Sequence, residues 1–237
     1  SVKTWFGSKD ELLALIAAAH ANGMDVIADF VVNHCSGADA RELNPITGEQ
    51  RWTRFEPASG KFRRDWECFL PNPYESWEEG SFGEMPDLSH RNPRVFGEIL
   101  ELARWLVEEI GFDGFRYDYV KGYGANTVTA VQEYRYQRAG KLVKPCGVAE
   151  YWDNARAIER WIDITNFSSQ NPVRAFDFPL RETLKLICDQ YGFGLRNRGP
   201  GELPEHLARW LKSWREPLAG ARPYKRLNEM ADRLEQG

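Results

Sequence analysis

The strongest constraint on this chain's fold is an alternation of short apolar runs with segments of helical period. Asp25 to Val32 (DVIADFVV) is almost continuously apolar, the pattern of a strand buried on both faces of a parallel sheet. A helix signal precedes it. Ser8 and Glu11 form an S-x-x-E capping box, Leu12, Leu13, Ile16 and His20 repeat at helical spacing, and Gly23 supplies the stop. The unit then recurs. Asn92-Pro93 opens a second helix with the stripe Val95, Ile99, Leu102, Leu106 and Ile110, closed by Gly111. A strand is expected at Gly114 to Tyr119. A helix over Asn126 to Arg138 leads to a strand at Gly147 to Glu150. A helix over Asn154 to Ile162 leads to a strand at Ala175 to Phe178, and a last helix runs from Pro179 to about Tyr191. Such alternation means parallel strands with helices outside, in a doubly wound sheet or in part of a (β/α)8 barrel.

Two segments break the pattern. Cys35 to His90 holds no long periodic stretch and is rich in Gly, Pro, Asn and aromatics. A structureless loop of that length is uncommon in a compact domain, so an inserted subdomain is expected. From Phe193 onward the composition shifts, with nine Lys/Arg against six Asp/Glu, while Leu207, Trp210, Leu211 and Trp214 mark one amphipathic helix and no strand.

Composition narrows the classes. With 42% hydrophobic residues the chain can build a core, and a net charge of -4 with interspersed signs gives no electrostatic case for nucleic acid. No apolar run is long enough to span a membrane. Cys35, Cys68, Cys146 and Cys188 form no C-x-x-C pair, which argues against a zinc finger and favours free buried thiols over two disulfides. His20, His34, His90 and His206 show no helical metal-site spacing.

Polar groups end three of the expected strands: Asn33 and His34, then Asp118 and Lys121, then Glu150. That edge of a parallel α/β fold is where ligands and catalytic groups gather. Two carboxylates facing one pocket suit glycoside cleavage, one as nucleophile and one as proton donor. Taken singly, each has a structural explanation, with Asp118 paired to Arg116 and Glu150 capping a helix. Between Trp52 and Phe82 lie Trp52, Phe55, Phe62, Trp66, Phe69, Tyr74, Trp77 and Phe82. Sugars stack on such faces, but most of these rings are expected to form the core of the insert.

The full strings decide between these readings. DVIADFVVNH (25–34), GFDGFRYDYVKGY (111–123) and GVAEYWD (147–153) resemble three signature regions of the α-amylase family of glycoside hydrolases, and Met85-Pro86-Asp87-Leu88 resembles a fourth. The order is right, and Lys121-Gly122-Tyr123 is closest to the plant and archaeal branch. The resemblance covers about residues 1 to 192 and implies a partial (β/α)8 TIM barrel, strands three to six, truncated at both ends. On this reading residues 1–34 and 91–192 are barrel, 35–90 an inserted calcium-binding subdomain, and 193–237 a divergent helical tail.

The resemblance also implies roles. Asp118 matches the nucleophile of a retaining double displacement on α-1,4-glucosidic bonds, and Glu150 the acid/base, which must hold a proton before cleavage. Arg116 matches the arginine that orients the nucleophile. His34 matches a sugar contact at the cleavage subsite, with Lys121 and Trp152 as candidates at neighbouring subsites. Ca2+ would be held by Asn33, Asp87 and the carbonyl of Gly122, with Glu78 and the carbonyl of Gly80 completing an all-oxygen set. The thiol- and histidine-containing metal site of the archaeal branch is not expected, because Leu70, Glu75 and Ser89 occupy its positions.

The family's third carboxylate lies in an Asn-His-Asp segment that residues 181–237 do not contain. A non-catalytic or weakly active glucan-binding fragment is therefore the alternative, and a related transglycosylase a third. Starch or malto-oligosaccharide is the expected substrate. A homo-oligomer, preferably a dimer, is expected to cover the barrel's open edges. The family resemblance favours secretion, although the chain carries no signal peptide.

Overall fold

The computed structural model describes residues 3–56, 62–75 and 85–186. Two compact units divide at Pro179, and of the second, Leu180–Gly237, only the first residues are described. The sequence reading of the helical tail, of Cys188, and of Trp77, Glu78, Gly80 and Phe82 lies outside the described residues.

The elements follow the expected alternation, with adjusted boundaries. A two-residue hairpin, β1 (Lys3–Thr4) and β2 (Gly7–Ser8), precedes α1 (Lys9–Ala21). Ser8 caps α1 as expected: its hydroxyl accepts from the Glu11 amide while the Glu11 carboxylate accepts from the Ser8 amide. Then come β3 (Ile27–Phe30) and, in the insert, the antiparallel pair β4 (Ala40–Asn44) and β5 (Glu49–Arg54). α2 (Pro93–Trp105) is capped by the Asn92 side chain and continues as a single π turn, Leu106–Ile110, closed by left-handed Gly111. The buried stripe follows steps of four and leaves the expected one at Ala103, ahead of that turn. Val95, Ile99, Ala103, Val107 and Ile110 are buried, while Leu102 and Leu106 are only partly so.

β6 (Gly114–Tyr117) leads to α3 (Ala125–Gln132). The helix expected to reach Arg138 stops there. Ala139 and Gly140, both at positive φ, make a tight turn between β7 (Tyr136–Arg138) and β8 (Lys141–Val143). β9 (Cys146–Ala149), α4 (Ala155–Asn166), β10 (Arg174–Ala175) and α5 (Phe178–Leu186) complete the order.

One four-stranded sheet, ordered β10-β9-β6-β3 and wholly parallel, organises the first unit. Its helix-facing side packs Phe30, Phe115 and Tyr117, with ring centroids 4.8 to 6.0 Å apart, against the buried stripe of α2 and against Val128 and Val131 of α3. β3 is not buried on both faces as its apolar run suggested. Ala28 and Phe30 are buried, whereas Ile27 and Asp29 are exposed. β3 is an edge strand, and its second face has no cover among the described residues.

The described cysteines are free, but only Cys68 is fully buried; Cys35 is half-buried and Cys146 exposed. The free-thiol expectation holds for these three, and the burial expectation for one. Of the insert's aromatics, Phe69 is fully buried and packs on Phe55 at 5.4 Å, while Tyr74 is exposed.

Candidate active site

The parallel register brings the site together. Asp29 of β3 lies opposite Arg116 of β6, and Arg116 opposite Val148 of β9. Side chains alternate along a strand, so Arg116 projects from the face opposite Tyr117. Asp118 follows β6 and Glu150 follows β9, so both carboxylates stand at the C-terminal ends of neighbouring strands. Two backbone hydrogen bonds fix them: the Asp118 amide donates to the Phe30 carbonyl (3.3 Å) and the Glu150 amide to the Tyr117 carbonyl (2.8 Å).

Arg116 binds both groups. Its Nη1 lies 2.5 Å from Asp118 Oδ1 and 2.7 Å from Asp29 Oδ1, and its Nη2 lies 2.8 Å from Glu150 Oε2. The guanidinium is held more strongly protonated than usual by these carboxylates, against the opposing effect of its own burial, which is the largest single contribution. The chain then turns sharply: Tyr119 adopts a left-handed conformation (φ 41°), which aims its amide at Glu150 Oε2 (3.2 Å). Glu150 Oε2 thus takes two hydrogen bonds from the protein. Oε1 is the oxygen that can carry an acid proton, and Asp118 Oδ2 the one that can attack. The expected Arg116–Asp118 pairing is present. Glu150 accepts from Arg116 and the Tyr119 amide, rather than capping α4, whose N-cap is Asn154.

The other expected site residues lie around this pair. Lys121 is tied to Asp153 Oδ2 (2.8 Å) and lies over the Tyr151 ring (5.6 Å); that hydrogen bond is the main reason Asp153 titrates below its usual range. Trp152 is half exposed and stacks on Phe178, with centroids 4.2 Å apart. His34 is half-buried at the end of β3, its Nδ1 3.4 Å from the Asn33 amide nitrogen.

Asn33 and Asp87 meet in the interior. Asn33 Nδ2 donates to Asp87 Oδ1 (3.1 Å), the Leu88 amide donates to the Asn33 carbonyl (2.7 Å), and both side chains are buried. Asn33 Oδ1 is buried without a hydrogen-bond partner among the described residues, and it faces Gly122 so closely that a Cβ there would lie 2.0 Å from it. Among the described residues no three His, Cys, Asp or Glu side chains cluster as a metal site. Any cation here would rest on amide and carbonyl oxygens beside Asp87.

Sequence reading missed Asp29, Asp153 and the Tyr119 amide. Asp29 had a visible signal, since it is a carboxylate inside an otherwise apolar strand. The roles of Asp153 and Tyr119 follow only from the turns that place them.

A parallel β/α sheet that presents two carboxylates at its C-terminal edge is an arrangement that barrel enzymes use for two-carboxylate chemistry such as glycoside cleavage. The family model described as "Alpha amylase, catalytic domain" matches residues 1–171, and the chain belongs to the α-amylase family. The chain is 29% identical over 235 residues to the alpha-amylase of Bacillus licheniformis, covering 81% of this chain and 45% of that protein. It is 29% identical over 287 residues to the glucan 1,4-alpha-maltohexaosidase of Bacillus sp. (strain 707), covering 93% and 54%. Among solved structures, the alpha-amylase of Geobacillus thermoleovorans complexed with acarbose has a TM-score of 0.52 at 24% identity over 76% of this chain and 36% of that one, which speaks for the fold. The chain spans about half the length of the curated relatives it matches. Its open four-stranded sheet is consistent with part of a (β/α)8 barrel.

Proposed function

We propose that this chain carries the catalytic centre of an α-glucan hydrolase that cleaves α-1,4-glucosidic bonds of starch-like glucans with retention. The observation that carries this reading is the Arg116 fork, which holds Asp118 on one prong and Glu150 on the other. Retention needs a nucleophile and a proton donor roughly 5 Å apart, and two carboxyls on one guanidinium suit that spacing. Asp118 Oδ2 attacks the anomeric carbon while Glu150 Oε1 protonates the departing oxygen. Glu150 then takes a proton from water, whose oxygen displaces the Asp118 ester. Arg116 and the Tyr119 amide hold the two carboxyls in place through both steps. Trp152 offers an exposed indole face, and His34 and Lys121 polar atoms, to sugars on either side of the scissile bond.

Calcium fits the oxygen-rich corner below this edge. Asn33 Oδ1, buried and unpaired among the described residues, stands against Gly122 and beside the Asp87 carboxylate. Asn33, Asp87 and the Gly122 carbonyl would hold Ca2+, with Glu78 and Gly80 as further donors. The bound ion would tie the insert of residues 35–90 to the strand ends. A loss of about 5 °C or more in Tm on chelation is expected, and an unchanged Tm would remove calcium from the proposal. We also propose that β3 and β10, which lack outer partners among the described residues, are covered by a second copy of the chain. A monomer by light scattering at micromolar concentration would reject the dimer.

Hydrolysis of soluble starch by the pure chain, compared with Asp118→Asn and Glu150→Gln, tests the activity. Both substitutions should abolish it. Activity surviving both would refute the assignment, and an inactive parent that still binds starch would support the non-catalytic alternative.

A further inference from the structure

The strand ends that carry Asp118 and Glu150 run on into turns that are cross-linked to each other. The Glu150 amide donates to the Tyr117 carbonyl (2.8 Å), the Tyr119 amide to Glu150 Oε2 (3.2 Å) and the Val120 amide to the Glu150 carbonyl (3.2 Å). These inner links all end on Glu150. The outer link reaches past it: Lys121 Nζ lies 2.8 Å from Asp153 Oδ2 and 3.4 Å from the Trp152 carbonyl. Lys121 stands three residues after Asp118, and Asp153 three residues after Glu150. The pair therefore joins the two turns beyond the carboxylates, at the rim of the site.

Asp153 uses both of its oxygens. Oδ2 takes the Lys121 ammonium, while Oδ1 accepts from the Asn154 amide (2.7 Å) and from Asn154 Nδ2 (2.9 Å). Asn154 is the N-cap of α4, so the carboxylate braces the ammonium against a helix start. The ammonium also lies over the Tyr151 ring, 5.6 Å from its centroid, and that ring packs on buried Trp161 of α4 at 5.8 Å. A lysine is a point charge on a flexible four-carbon stem. Held between a carboxylate, a carbonyl and a ring, it meets a ligand already ordered, which lowers the entropy lost on binding. The two side chains remain 29% and 28% exposed, and ion pairs this open to water contribute little to stability. The consequence of this one is placement.

We propose that Asp153 is a positioning residue for glucan binding: it fixes the Lys121 ammonium and, through the Lys121 bond to the Trp152 carbonyl, the exposed Trp152 indole. The inference rests on the glucan reading above, with Lys121 and Trp152 as sugar contacts. The order of the links also decides which kinetic constant responds. Cutting the outer link leaves the inner ones in place, so Glu150 keeps its bonds to Arg116, Tyr119 and Val120. Sugar binding is lost, and proton transfer is largely kept.

Asp153→Asn removes the charge and leaves an oxygen for Asn154. Binding of maltoheptaose is measured by calorimetry on the full chain in a Glu150→Gln background, where hydrolysis cannot confuse the reading. Asp153→Asn should raise Kd roughly tenfold, and Asp153→Glu, which keeps the charge, should recover most of that loss. In a Lys121→Met background Asp153→Asn should change Kd by less than about twofold, because the group it positions is gone. An equal effect in both backgrounds, or none in either, would overturn the inference. Steady-state kinetics with Glu150 intact give the second readout: Asp153→Asn should raise KM roughly tenfold and leave kcat within about threefold. A fall in kcat at parental KM would make Asp153 a support of Glu150 and would also overturn the inference. A parent that binds no maltoheptaose would refute the glucan reading and this inference with it, whereas a parent that binds as well as its Asp153→Asn variant would refute this inference alone.

Discussion

Replacing Arg116 should damage stability and activity by separable amounts. The side chain meets three carboxylates. Asp118 and Glu150 are mostly buried, with side chains 16% and 19% exposed, whereas the Asp29 side chain is 64% exposed. Two unit charges about 4 Å apart attract by about 4 kcal/mol at an effective dielectric of 20. Exposure reduces the Asp29 contact to about 0–1 kcal/mol. The guanidinium also loses hydration on burial, which offsets part of the other two. Removing one partner of a buried pair costs about 3–5 kcal/mol, and this site is only partly buried, so Arg116→Met should destabilise by about 2–4 kcal/mol. For a unit of this size, about 2–4 °C accompanies each kcal/mol, which gives a Tm drop of roughly 5–15 °C at neutral pH. Arg116→Lys keeps the charge but not the fork, because an ammonium is a point donor. It should recover about half of that Tm loss and little of the activity, leaving kcat roughly 100-fold or more below the parent. Differential scanning calorimetry and a reducing-end assay on the same preparations check both. A lysine variant with near-parental kcat, or a methionine variant melting within about 1 °C of the parent, would refute the claim that one fork organises both carboxylates.

Three further outcomes follow from other parts of the structure. Burial lowers the His90 pKa to about 4 from its ordinary 6.5, opposed only by its bond to Val32. The unfolded chain therefore takes up a proton that the folded chain refuses, so this contribution is complete above pH 6.5 and is lost as pH falls toward 4. It amounts to roughly 3 kcal/mol, and a Tm profile that stays as flat as that of His90→Gln across this window would contradict it. Gly122→Ala would drive a methyl group into Asn33 Oδ1, so it should lower Tm by several degrees and abolish any calcium-dependent gain; a variant that melts and responds to calcium like the parent would remove the close approach from the argument. Glu133 accepts from Lys144, the Ser169 hydroxyl and the Gln170 and Asn171 amides, and the Lys144 contact leads in lowering its pKa to about 2; Glu133→Ala should cost about 1–2 kcal/mol by denaturant titration and raise hydrogen exchange at Gln170 and Asn171, whereas unchanged exchange would show that the carboxylate does not hold that loop.

Much of this was legible in the sequence, for identifiable reasons. Ser8-x-x-Glu11 and Asn92-Pro93 fix helix starts by local hydrogen bonding, so both caps could be read directly. Strand ends carrying Asp118 and Glu150 were legible because an apolar run that stops at a carboxylate marks a sheet edge. The failures share a different cause. The hairpin of β7 and β8 interrupts a helical pattern because Ala139 takes a positive φ, which a residue with a Cβ rarely does and which sequence period does not encode. Along α2 the buried line runs in steps of four through Ala103 and Val107, beside the larger leucines that the apolar pattern favoured. β3 reads as buried on both faces because an edge strand of a barrel-type sheet and a central strand have the same composition; only the neighbours differ.

Asp29 joins these two points. Within an apolar run a carboxylate is a local fault, and it makes sense only once β3 is placed parallel to β6 with Asp29 opposite Arg116. The same register puts Phe30 opposite Tyr117 on the helix-facing side. A slip of one residue between β3 and β6 would exchange these roles, sending Asp29 toward the α2 stripe and Phe30 toward the guanidinium. Burying an unpaired carboxylate and exposing a phenyl ring both oppose that slip, so the core packing of Phe30 and the charge at Asp29 select one register together. The active-site geometry therefore depends on the hydrophobic side of the sheet as much as on the polar one. The Arg116 fork sits on β3, β6 and β9, the three strands whose register carries both selections.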